Sequence, residues 1–169
     1  TPDIMKPDLQ EGRLVGQMEA IDSVMNYQGM IDELASSVAE AINTVHSDGG
    51  TGINFFTSSD GDAINAGNIT VNQNIVDDGQ LINAGATPTS TEGDGSRALA
   101  IAQLRNGNFL MNDLTQYSAN YDSSTMTIDS ATSGTTFDNF YNDIVVKVGI
   151  DAQTSERGVM NQGNLLLQL

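Results

Sequence analysis

The chain has no cysteine and no tryptophan, only 3 prolines, and few aromatic or basic residues. Without cysteine there is no disulfide scaffold, no thiolate zinc site and no thiol nucleophile. With aromatics at 5% and hydrophobic residues at 38%, the core has to be aliphatic, built from Leu, Ile, Val, Ala and Met. Only 6 Lys and Arg stand against 22 Asp and Glu, a formal net charge of −16. Such a surface repels phosphate backbones and anionic lipid heads, so neither nucleic acid nor a membrane is an expected partner. No apolar run approaches transmembrane length. What is abundant is Gly, Asn, Ser, Thr and Asp, the residues of turns and irregular segments.

The opening "TPDIMKPDLQEG" carries two prolines and no signal-peptide pattern, and reads as an extended lead-in over residues 1–11 of an excised fragment. From residue 12 the spacing predicts a single helical domain to residue 169. A long helix is expected over 12–46, where two apolar stripes run side by side. One is Leu14, Met18, Ile21 and Met25; the other is Val24, Tyr27, Ile31, Leu34, Val38, Ala41 and Val45. A face wide enough for two neighbours, or a kink near Gly29, accounts for the offset. "HSDGGTG" ends the helix.

Residues 47–93 read as a β-rich, irregular insert. "INFF" and "NITVNQNIV" are short β-like runs bounded by turn residues, and 84–96 is a polar loop. "SRALAIAQLR" (96–105) is a short helix capped by Asp94 or Ser96. Residues 109–134 look loosely structured. A second long helix starts at about residue 136 with Thr135 or Thr136 as N-cap and Asp138 in its first turn, where the dipole favours a carboxylate. Its stripe is Phe137, Tyr141, Ile144 and Val148. Beyond Gly149 the heptad continues through Asp151, Ser155, Val159, Gln162, Leu166 and Leu169, polar in its middle, without a stop signal. The expected fold is therefore mainly α with a small β-rich insert (α+β): long antiparallel helices packed as a bundle with short strands between them. Leu14, Ile21, Ile31, Leu34 and Val38 of the first helix are expected to pair with Phe137, Tyr141, Ile144 and Val148 of the last.

Candidate chemistry is sparse. His46, the single histidine, lies at the end of the first helix, where capping or packing is the economical role. Asp60, Asp62, Asn65 and Asn68 crowd oxygens into one loop that could hold calcium, but the spacing fits no EF-hand, and Asx turns explain it more simply. "EGDGS" (92–96) has no lysine and no preceding apolar strand, so it is not a phosphate loop. Asp32–Glu33 and Asp77–Asp78 are adjacent and point apart on regular backbone, which makes them poor acid–base pairs. No cofactor and no catalytic residue is expected. A structural or interaction protein is favoured over an enzyme.

Four stretches, in order, resemble the flagellar hook-associated protein 1 family, the hook–filament junction proteins. "GRLVGQMEAIDSVMNYQGMIDELASSVAEAINTVHSDG" matches that family's pattern at Gly12, Leu14, Gly16, Asp22, Ile31, Asp32, Leu34, Ala35, Asn43 and His46. Phe55–Phe56 with "ITVN" (69–72), then "GDGSRALAIAQL" (93–104), then "TFDNFYNDIVVKVGIDAQ" (136–153) follow. Ile31 and Ile144 stand where the family usually has Leu. The resemblance implies a structural, secreted protein of the extracellular bacterial flagellum, exported without a cleaved signal peptide. It implies a short helical ring between hook and filament, and terminal helices that pair as a coiled coil. The implied partners are other copies of itself, neighbouring hook and hook-associated proteins, and an export chaperone for the full-length protein. The alternative is a calcium-binding extracellular surface or adhesion module, suggested by the charge and the loop at 58–68.

Overall fold

A computed structural model describes residues 13–87 and 89–167, apart from the side chains of Arg13 and Leu166. The expected lead-in at 1–11 and the seam position Leu169 lie outside the described residues. The chain is mainly helical with two small antiparallel two-stranded sheets, an α+β fold. Helix α1 (Arg13–His46) runs unbroken through Gly29. It is followed by β1 (Phe56–Ser58), β2 (Ile69–Val71), α2 (Gln73–Asp77), α3 (Ser96–Gln103), α4 (Thr115–Ala119), β3 (Tyr121–Asp122), β4 (Thr127–Ile128) and α5 (Phe137–Leu166). Short 3-10 turns occupy Gly79–Leu81 and Leu104–Asn106.

The two β-like regions pair as an antiparallel hairpin, with Phe56 opposite Val71 and Ser58 opposite Ile69. "QNIV" does not continue its second strand. Asn72 accepts a hydrogen bond from the Asn74 N–H and caps α2 instead, which turns Ile75 into the core. Residues 109–134, expected to be loose, supply much of the core. Phe109, Met111, Tyr117 and Ile128 are buried there with Ala41, Val45 and Leu104. Leu34, Phe137 and Phe140 pack on the edge of this cluster. Phe109 is held by two backbone bonds to Thr135, 2.8 and 3.0 Å. Gly134 is obligatory beside it, because a Cβ there would lie 2.6 Å from the Phe109 nitrogen.

α1 and α5 pack antiparallel: Leu34 and Phe140 meet at the core, and Tyr27 reaches Asp151 further out. Among the described residues no third long helix joins them. The molecule thus divides into a head, where short elements surround the C-terminal half of α1, and an arm of two bare helices.

The pairing face differs from the expected one. Ile144 is buried at 4%, Leu34, Val38 and Phe137 are half-buried, but Leu14, Ile21, Ile31, Tyr141 and Val148 are exposed. The covered face of α1 follows Ser23, Tyr27, Met30, Leu34, Ser37 and Ala41; that of α5 follows Phe137, Phe140, Ile144, Lys147 and Asp151. Relative to the stripe that apolar content selects, α1 is rotated by about a quarter turn and α5 by about half of that. Two causes act together. The head fixes α1 through Ser37, Ala41 and Val45, and the polar contact between Tyr27 and Asp151 holds the arm in the same rotation.

Candidate functional site

Two features of the molecule invite a functional reading: the polar junction where α1 ends, and the bare faces of the arm. The junction begins with backbone geometry. α1 closes in a Schellman turn, with the Gly49 N–H on the Thr44 carbonyl at 2.8 Å and the Asp48 N–H on Val45 at 3.3 Å. Asp48 therefore sits in the left-handed region, at φ 55°, where glycine is the usual occupant. Its carboxylate accepts from the Tyr121 hydroxyl at 2.8 Å and pairs with Arg97 at 3.4 Å.

Arg97 is 1% exposed and is the hub of the head. Its Nη1 donates to the last-turn carbonyl of Val45 and to the Tyr121 hydroxyl; Nη2 donates to Ala86 at 2.9 Å and Nε to Gly85 at 3.1 Å. A cation here meets the negative end of the α1 dipole and satisfies carbonyls that a helix terminus leaves open. One side chain ties together α1, α3, the 84–86 loop and the β3–β4 hairpin. Nothing in the sequence singles Arg97 out, since arginine is seldom fully buried. Neither Asp94 nor Ser96 is the N-cap of α3: Gly95 holds that position with no side-chain cap, and Asp94, one residue earlier, accepts from the Ser96 N–H at 3.0 Å and from Ala86 at 2.9 Å. Hydrogen bonds from Ser90, Ser96 and Ala86 hold its carboxyl well below the usual carboxylate range.

His46 is buried, as its packing role requires, but not as a donor to terminal carbonyls of α1. Its Nδ1 donates to the Ile53 carbonyl at 3.0 Å, and Nε2 accepts from the Asn83 N–H at 2.9 Å. That pair of bonds fixes one neutral tautomer and leaves no ring nitrogen for proton transfer. The amide of Asn83 in turn caps the His46 carbonyl at 2.9 Å.

The loop at 58–68 spends its oxygens on itself. Asp60 accepts from the Asp62 N–H at 3.1 Å and the Asn68 amide at 3.0 Å, and Asn65 accepts from Gly67 at 2.8 Å. The Asn68 side-chain nitrogen, a donor, takes up the Asp60 carboxylate and the Ala63 carbonyl at 2.9 Å. Among the described residues no group of three or more His, Cys, Asp or Glu could hold a metal ion. Asp32, one of the adjacent carboxylates, accepts from the Ala66 N–H at 3.0 Å and fastens this loop to α1.

Tyr117 is the other deeply placed ionisable group. Burial pushes its hydroxyl up to about 12, with the charges of Glu40 and Asp113 adding to the shift and Ser37 opposing it. The phenol makes no hydrogen bond among the described residues, and the Ser37 hydroxyl donates instead to the Met111 carbonyl at 2.8 Å.

The arm is the opposite of this. Tyr27 donates to Asp151 at 2.6 Å, and Lys147 pairs with the same carboxylate at 3.3 Å. The Tyr27 bond, then that of Lys147, depresses the Asp151 carboxyl. Outward, α1 exposes Leu14, Ile21, Val24 and Ile31, and α5 exposes Tyr141, Val145, Val148 and Val159. On α5 these residues lead the covered face by roughly 60–120° at 100° per residue, whereas on α1 they fan from roughly 80° at Ile31 to about 180° at Leu14. In an antiparallel pair the leads fall on the same side, so Val24 and Ile31 share a side with the α5 stripe, while Ile21 and Leu14 lie on the back of α1. Ala20, Ile21, Val24 and Met25 line a shallow apolar hollow on α1. The arm is also nearly neutral: Arg13, Lys147 and Arg157 stand against Glu19, Asp22, Asp151 and Glu156 over residues 13–30 and 145–167. Residues 31–144 carry fifteen carboxylates against Arg97 and Arg105.

No described helix is long and apolar enough to cross a membrane. No family model, no curated protein and no solved structure matches the chain significantly.

Proposed function

We propose that the chain is a structural, non-enzymatic component of the bacterial flagellum that joins hook to filament by helical self-assembly. The observation that carries the assembly reading is the arm: two nearly neutral helices whose uncovered sides expose apolar residues, on a molecule otherwise strongly acidic. Such a face accepts further helices as a coiled-coil bundle, since apolar residues at three- and four-residue spacing are what a neighbouring helix buries. The acidic head keeps free subunits apart in solution. The flagellar reading rests on the ordered resemblance to hook-associated protein 1, whose terminal helices pair in this manner. Its partners are then other copies of this chain and the neighbouring hook and hook-associated proteins. An export chaperone holds the full-length protein before secretion to the cell exterior.

Labelling isolated flagella with antibody raised against this chain tests the reading. Signal confined to a single level between hook and filament is the expected result. Label spread along the filament, or absent from flagella, overturns it. A source reading frame lacking helical segments on both flanks would overturn it independently.

A further inference from the structure

The two flanks of the arm differ. At 100° per residue, Ala20, Val24 and Ile31 of α1 and Val148, Ala152 and Val159 of α5 all lie roughly 60–100° ahead of the covered face. They share one flank, and all six are exposed. Among the described side chains the charges of the arm fall elsewhere. Lys147 and Asp151 belong to the covered face, Glu19, Asp22 and Arg157 lie on its other flank, and Glu156 is on the back of α5. The leading flank is thus apolar and uncharged, on a chain of net charge −16.

Its pattern matches itself. Each helix sets a small residue beside a larger one, Ala20 with Val24 and Ala152 with Val159. The first pair is centred on Asp22 and the second between Ser155 and Glu156. Tyr27 reaches Asp151, so moving five residues toward the tip on each helix brings Asp22 about level with Glu156. A single two-fold axis at that level lays Ala20 on Val24 of a second copy and Ala152 on its Val159. Small and large residues that exchange under one axis are what an isologous contact requires. The heads set the direction. Fifteen carboxylates against two arginines repel a second head at close range. The axis across the arms puts the heads at opposite ends, about 50 Å between centres at 1.5 Å per residue, several Debye lengths at 0.15 M salt. The flank is about 27 Å long and about 20 Å wide, so two copies bury on the order of 1,000 Å² in all. That is the low end for a specific interface, the size of a dimer that forms only at high concentration.

We propose that two copies of this chain pair through the leading flanks of their arms, α1 on α1 and α5 on α5, antiparallel, with the heads at opposite ends. This rests on the reading of the arm as an assembly surface and not on the flagellar assignment. The pair is closed. It covers this flank on both copies and so holds free chain out of the open, heterologous contacts that a helical assembly needs.

The test is the mass in solution by light scattering, in 0.15 M salt. Between roughly 10 μM and 1 mM it is expected to rise from that of one chain to that of two and to stop there. Val24→Glu sets like charges beside the axis at an exposed position, and is expected to weaken pairing at least roughly tenfold. Ile21→Glu, on the back of α1, is expected to leave it unchanged. Both variants are checked for parental helix content by circular dichroism. The chain has no native cysteine, so Ser123→Cys in the head takes a single spin label. The two labels of a dimer are expected to lie beyond roughly 40 Å from each other. The mass of one chain throughout, masses that climb past two, a dimer that Val24→Glu leaves intact, or labels closer than that each overturn the proposal. None of these outcomes changes where an antibody labels a flagellum, so the two readings fail separately.

Discussion

The head and the arm are built from the same two long helices and hold together in different ways. In the head, α1 is locked by groups with no rotational choice. Ser37 donates to a core carbonyl, Asn43 grips a strand, His46 bridges two loops, and Arg97 closes the helix end. In the arm the same helix meets only α5, through a half-exposed tyrosine–aspartate–lysine contact and one covered stripe. Charge follows the same division, concentrated on the head and nearly cancelled on the arm. The difference teaches that the head is finished, whereas the arm leaves its more apolar sides uncovered.

The comparison can be broken most forcefully at Arg97. Arg97→Met strands the carbonyls of Val45, Gly85 and Ala86 and should cost about 3–5 kcal/mol by urea unfolding; a loss below 1 kcal/mol would deny it the hub role. The next effect is alkaline. Tyr117 has a raised pKa in the folded state, so its contribution is whole below the unfolded value of 10.0 and is lost as pH rises toward about 12. That loss should reach about 2–3 kcal/mol. Tyr117→Phe, which leaves no buried hydroxyl, should remove this part of the alkaline loss while changing neutral stability little; an unchanged alkaline limb would count against it.

Asp48 separates backbone strain from charge. Asp48→Ala should cost about 1–2 kcal/mol, and Asp48→Gly less by about 0.5–1 kcal/mol, because glycine relieves the positive φ. Equal losses would mean that the left-handed residue carries no strain. In the arm, Asp151→Asn should destabilise less than either Asp48 variant, as an exposed contact does; a loss as large as that of Asp48→Ala would contradict it. Since the Asp151 carboxyl is depressed in the fold, its contribution is present above the ordinary carboxylate range and fades as pH falls through the lowered value. The smallest expected effect is that of calcium. Melting with calcium or with chelator should coincide, because the 58–68 loop is already satisfied internally; a rise in calcium would restore the alternative reading.

Periodicity and capping made the long helices, α3 and the first hairpin legible. Thr136 caps α5 by accepting from the Asn139 N–H, in the predicted place. What escaped was whatever depended on partners distant in sequence. Phe109, Met111, Tyr117 and Ile128 have no common period, and only the fold brings them together. The rotation of α1 and α5 was misjudged because apolar content chose Tyr141 and Val148, while Phe140, Lys147 and Asp151 took the contact. Arg97 and Asp48 carry no local signal, because nothing nearby in sequence reveals that a charge will be buried against a helix terminus.

Asn43 carries a consequence of another kind. Its amide donates to the Phe56 carbonyl at 2.9 Å and its oxygen accepts from the Phe56 N–H at 2.8 Å, on the side of β1 turned away from β2. This is the bond pair that a third strand would form at that residue. A side chain on a helix thus impersonates a strand and shuts the open edge through which small sheets recruit strangers. It also sets the register, since sliding β1 by one residue would strand both amide atoms. With the partners only thirteen residues apart, the close of α1 and the start of the hairpin can find each other early, and one asparagine serves as both template and lock.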